Sequence, residues 1–138
     1  MKNAKPSDVG LLVLRLGLGA VMMYHGSQKL FGVFDGRGLS QTLEGFQSSQ
    51  GIPQWLGMLA VIAEFFGGLG VVLGLLTRLA SFGIVCTMGV AAFVHFSKGD
   101  GWSKMEFPIA LMCMAVCLMC LGPGQIAAEG LFRGKKAR

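Results

Sequence analysis

The stretch from Val9 to Phe31, VGLLVLRLGLGAVMMYHGSQKLF, is long enough to cross a bilayer. It nevertheless carries Arg15, His25 and Lys29 inside or at the edge of an otherwise apolar run. A charged side chain at membrane depth costs roughly 2.5–3.5 kcal/mol on insertion scales and is usually kept facing a bundle interior or a polar cavity. At ~100° per residue, Arg15, Gly19, Met22, Gly26 and Lys29 fall on one stripe, with His25 at its margin. A stripe that alternates glycine with cations is ill suited to lipid. Other helices must supply its partners.

Charged residues make up only 14% of the chain, where about 25% is usual, and apolar residues reach 53%. The apolar excess comes in blocks, which is a membrane signature. The net charge of +5 is concentrated at the ends, at Lys2 and Lys5 and then at Arg133, Lys135, Lys136 and Arg138. Beside apolar segments of this length, such charges read as cytoplasmic topology signals rather than as a nucleic-acid surface. The four cysteines, Cys86, Cys113, Cys117 and Cys120, all lie in apolar segments, so no disulfide framework is readable. The first apolar run is too long for a signal peptide, contains Arg15 and lacks a small-residue cleavage site, so it reads as a retained first helix.

One domain, 1–138, is expected: an all-α integral membrane bundle of four transmembrane helices over about 9–31, 54–76, 79–97 and 105–122. Glycines and the Gly122-Pro123-Gly124 stop punctuate it. The 32–53 connection is too long for a plain hairpin. Leu39, Leu43 and Phe46 recur there at i, i+4, i+7, as in a short amphipathic helix lying at the membrane surface; a solvated loop is the alternative. Gly57, Ala60, Gly67 and Gly68 read as one face flanking Glu64, and Thr77-Arg78 as the turn into the third crossing. A basic tail follows over 125–138, expected to be mobile beyond Arg133. The positive-inside rule places both termini and Thr77-Arg78 in the cytoplasm, with Trp55 and Trp102 at the outer interface.

Depth arithmetic groups the polar residues. Arg15 falls roughly 9 Å from the inner edge and Glu64 roughly 15 Å from either edge of a ~30 Å core. Within arginine's reach, an Arg15–Glu64 ion pair would answer two buried charges at once, and its simplest role is to fix one helix against another. Toward the outer edge, Tyr24, His25 and Lys29 end the first helix, His95 ends the third crossing, and Glu106 opens the fourth. Two imidazoles, an amine, a phenol and a carboxylate from three helices can bind a polar head group and move protons. Ordinary snorkelling at the interface is the bland reading of the same residues.

Cys113, Cys117 and Cys120 share a face of the last crossing, and the chain has nine methionines. Soft ligands of this kind hold Cu(I) or take part in sulfur redox chemistry. Both residue types also serve as plain core fillers, and that is the preferred reading, so no metal site is assigned. Gly17-x-Gly19 follows no strand and is not a nucleotide loop. A haem between His25 and His95 has only two histidines at similar depth in its favour.

These pieces resemble the DoxX-like small bacterial membrane proteins. The matching segments are R-L-G-L-G-A-V-M-M-Y-H-G-S-Q-K-L at Arg15–Leu30, E-F-F-G-G-L-G-V-V-L-G-L-L-T-R at Glu64–Arg78, A-A-F-V-H ending at His95, E-F-P-I-A-L from Glu106, and G-P-G at Gly122–Gly124. The resemblance runs through nearly the whole chain in order and implies a four-helix membrane fold. For activity it implies association with thiosulfate oxidation coupled to quinone, as in the founding DoxX/DoxD pair, or membership in membrane oxidoreductase complexes. By matching position it points to Arg15, His25, Lys29, Glu64, His95 and Glu106.

The expectation is therefore a small inner-membrane subunit of a redox system that binds a quinone and couples to a partner oxidoreductase. Tyr24, His25, Lys29 and His95 would hold the head group, and His25, Lys29, His95 and Glu106 would carry the proton chemistry, with Glu106 shuttling protons to the outer side. A single cavity roofed by the 32–53 segment would contain His25, Lys29, His95 and Glu106. A non-catalytic docking or assembly module is the alternative, and ion or metal transport a weaker one. The bilayer and a partner oxidoreductase or other membrane subunit are the expected partners, with homo-oligomerisation left open and no nucleic acid.

Overall fold

The computed structural model describes residues 4–133, with side chains to residue 130. It has six helices and, among the described residues, no strand: α1 Pro6–Leu30, α2 Gly38–Gln50, α3 Gln54–Leu73, α4 Thr77–Lys98, α5 Trp102–Leu121 and α6 Ala128–Arg133. Four of them, α1, α3, α4 and α5, are long and apolar enough to cross a membrane. This is the expected all-α bundle. Residues 134–138, where the end of the basic tail falls, lie outside the described residues.

Helix α1 starts three residues earlier than periodicity suggests because its first turn is capped. Pro6 opens it, and the Lys5 amide donates to Asp8 Oδ2 at 2.9 Å. The amphipathic reading of 32–53 holds. Leu39, Leu43 and Phe46 are half-buried along α2, and the Leu43 and Phe46 side chains lie over Gly57 of α3. Helix α3 ends at Gly74, which takes the left-handed conformation glycine favours. The turn to α4 is therefore Gly74 to Leu76, and Thr77-Arg78 forms the first turn of α4 instead.

The helices form two close pairs, α1 with α3 and α4 with α5, joined mainly through α3 and α4. The glycine stripe of α1 makes the first pair possible. A Cβ on Gly19 would stand 2.8 Å from the Gly68 carbonyl oxygen, and one on Gly26 would stand 2.6 Å from the Phe65 nitrogen. Arg15, Gly19, Met22 and Gly26 are all buried, as the stripe requires. The glycines of α3 do not share one face: Gly57 receives α2, Gly68 receives α1, and Gly67 faces Ala80 and Ile84 of α4. The core comprises Leu18, Met22, Val71, Ile84, Met88, Leu111, Ala115 and Leu118. Large apolar side chains such as Val13, Leu16, Phe93 and Leu121 point outward, and a hydrocarbon solvent is what such a surface fits.

Candidate functional site

Arg15 and Glu64 do not pair. Arg15 is only 2% exposed, and its guanidinium is held by four carbonyl oxygens. Nε donates to Val71 O at 2.9 Å, Nη2 to Val72 O at 2.8 Å, and Nη1 to Pro123 O and Ile126 O at 3.0 and 2.6 Å. Two of these acceptors belong to the last turn of α3, where the helix dipole favours a cation. The other two lie in the α5–α6 connection. The reason for the difference is axial register. With Gly26 set against Phe65, Glu64 lies one turn from Lys29, whereas Arg15 lies three turns away, near the far end of α3.

Lys29 takes the carboxylate instead. Its Nζ donates to Glu64 Oε1 and Oε2 at 2.5 and 2.7 Å. The Glu64 side chain is 3% exposed and that of Lys29 31%, so a buried anion is answered by a cation that reaches the surface. The Phe46 ring centroid lies 5.8 Å from Nζ.

The pair sits on the wall of a groove of about 1020 Å³ that runs between α3 and α4. Leu59, Phe66, Leu73, Phe82 and Val90 line it along the bundle, and Thr87, His95 and Lys98 add polar atoms from α4. Cys86 is the cysteine that lines it. His95 stands near the C-terminus of α4, where its Nδ1 lies 2.7 Å from Asp100 Oδ2; the carboxylate accepts, so Nδ1 donates. That hydrogen bond is the main cause holding the Asp100 carboxyl below the ordinary carboxylate range.

Of the four residues expected in one cavity, Lys29 and His95 line the groove, while His25 and Glu106 do not. His25 is directed to the α5 side of α1, with its ring edge-on to Tyr24 and 5.8 Å from Phe107. Tyr24 stacks on Phe34 and is exposed. Glu106 is exposed on α5. These groups share a level with Lys29 but lie around a different side of the bundle. Glu64 belongs to the site, where depth alone had paired it with Arg15. Cys113, Cys117 and Cys120 are exposed on α5, away from the groove.

The other end of the bundle is closed by polar contacts that the sequence reading lacks. Gln125 N donates to Asp8 Oδ1 at 2.9 Å, and Thr77 N donates to Glu129 Oε1 at 2.8 Å, so α6 caps the start of α4. No hydrophobic period marks 122–130, and that left these contacts without a signal in the sequence.

The family model for DoxX matches residues 10–97, a span that takes in the first three crossings and α2. The chain belongs to the DoxX family. It is 27% identical over 133 residues to the Bacillus subtilis (strain 168) protein named "Putative oxidoreductase CatD", covering 96% of this chain and 94% of that one. It is 29% identical over 134 residues to the "Inner membrane protein YqjF" of Escherichia coli (strain K12), covering 95% and 98%. No solved structure matches it. As a DoxX protein with four such helices, it is a multi-pass membrane protein.

Proposed function

We propose that this DoxX protein binds a membrane quinone in the α3–α4 groove and serves as the quinone-side subunit of a redox system in the bacterial inner membrane. A partner oxidoreductase supplies the electrons. The observation that carries this reading is an apolar groove of membrane length with charged donors on its wall. Such a groove fits an amphipathic isoprenoid, with its tail along Leu59, Phe66 and Leu73 and its head near Lys29 and His95. Lys29 Nζ has three N–H donors, of which Glu64 takes two; His95, as an imidazolium with its Nδ1–H on Asp100, offers its Nε2–H to a ligand. Bound there, the quinone supplies the redox chemistry. The chain holds the head-group oxygens and fixes the donors toward them. The oxidoreductase name of the Bacillus subtilis relative supports the redox class. With the basic termini in the cytoplasm, the head-group end faces the outer leaflet.

Lys29→Met and His95→Phe test the proposal in purified full-length protein titrated with a short-chain ubiquinone analogue. Each lost charge-assisted hydrogen bond is expected to weaken binding about tenfold or more. Unchanged binding in both variants removes the quinone site. A docking or assembly module then takes its place, a reading favoured by Arg15 on backbone carbonyls and Lys29 on Glu64, which makes both charges bundle glue.

A further inference from the structure

The groove has a polar neighbour. A second cavity, of about 320 Å³, lies between the end of α1 and α2, and Gln28, Asp35, Arg37, Thr42 and Ser49 line it. Lys29, Phe46 and Gln50 line both cavities. Lys29 is the charged side chain common to the two, and it stands beside the Phe46 ring where they meet. An ammonium between a polar cup and an apolar slot is a group that can pass a proton from one to the other.

We infer that the cup is the proton entry of the groove, with Lys29 the last carrier before a bound head group and Asp35 the acid that feeds it. This rests on the quinone reading. Reducing a quinone to a quinol adds two electrons, both from the partner oxidoreductase, and two protons, both from water, one to each ring oxygen. Lys29 Nζ gives one proton to the nearer oxygen, Asp35 passes one to the neutral amine, and water in the cup reprotonates Asp35. Glu64 gives up no proton in this step; its two oxygens hold the amine in place. His95, as an imidazolium, gives its Nε2 proton to the farther oxygen and regains one from water at its part-exposed edge. Glu106, outside both cavities, has no part in this route.

Gly45 offers a clean test. It lines the cup and not the groove, and a Cβ there would have only Arg37 Nη1 nearby, at 3.8 Å. Gly45→Leu therefore fills the cup with apolar atoms while leaving the groove as it is. The purified full-length chain in detergent, holding a one-isoprene ubiquinone analogue, is reduced in an electrochemical cell and followed by the quinone's ultraviolet absorbance. Gly45→Leu and Asp35→Asn should each slow reduction at least about tenfold, with as much quinone retained as in the parent. Reduction at the parent's rate with retention unchanged overturns the proton route while the quinone site stands. A parent that retains no quinone overturns both. Should Gly45→Leu not fold, Asp35→Asn, at an exposed position, decides alone.

Discussion

Gly26 of α1 lies directly against the backbone of Phe65 in α3, with no room between them for a single methyl group. This contact, with Gly19 against Gly68 further along, fixes how far α1 is slid along α3. The partners of Lys29 and Arg15 follow from that offset. It brings Lys29 to Glu64 and carries Arg15 on to the carbonyls that end α3.

Gly26→Ala should push the two helices apart and cost about 1–3 kcal/mol, as overpacking does. Unfolding of the detergent-solubilised protein measures the loss. Gly17→Ala is the control, because a Cβ there meets nothing within 4 Å. An equal loss at both positions would mean that the contact does not set the register.

Lys29→Met strands the Glu64 carboxylate and should cost about 3–5 kcal/mol of stability. Adding Glu64→Gln should recover part of it. The matching cycle between Arg15 and Glu64 should be additive within about 0.5 kcal/mol, since the two share no partner. Coupling in the second cycle and none in the first would reverse the pairing seen here.

The His95–Asp100 contact should depend on pH. The folded-state carboxyl of Asp100 is held below its ordinary value, so the stability it contributes is complete above that value and is lost as pH falls through the depressed one. Amide exchange at Gly99 and Asp100 should accelerate over that acidic window in the parent. The His95→Phe variant should show no such step, and a step that persists in it would assign the effect to another group.

Both termini are expected in the cytoplasm and α2 on the opposite side. Reporters active only in the cytoplasm, fused after Arg138 and at the exposed Ser48 of α2, read the two sides. Activity at Ser48 would invert the topology and move the head-group end of the groove to the inner leaflet.

The buried stripe of α1 was readable from sequence because a 3.6-residue period depends on no partner. For the same reason Leu39, Leu43 and Phe46 revealed α2. The partner of Glu64 was not readable. Depth counted from the helix ends assigned Glu64 to Arg15, whereas close glycine contacts set the real offset between the helices. Depth also gives a level and no direction around the bundle. His25, Lys29, His95 and Glu106 were grouped by level, yet α1 directs His25 toward Phe107 while Lys29 and His95 line the groove.

Two of the four oxygens that hold Arg15 belong to residues 108 and 111 positions later in the chain. When α1 first enters the bilayer during synthesis, those oxygens do not yet exist. The carbonyls of Val71 and Val72 arrive with α3, and the set is complete only once Ile126 has left the ribosome. Arg15 is thus a residue of delayed assembly, with its guanidinium uncoordinated until α3 is made and half-coordinated until the α5–α6 connection follows. A nascent chain stopped between α3 and α5 should still hold α1 near the insertion machinery, and one extended past Ile126 should release it.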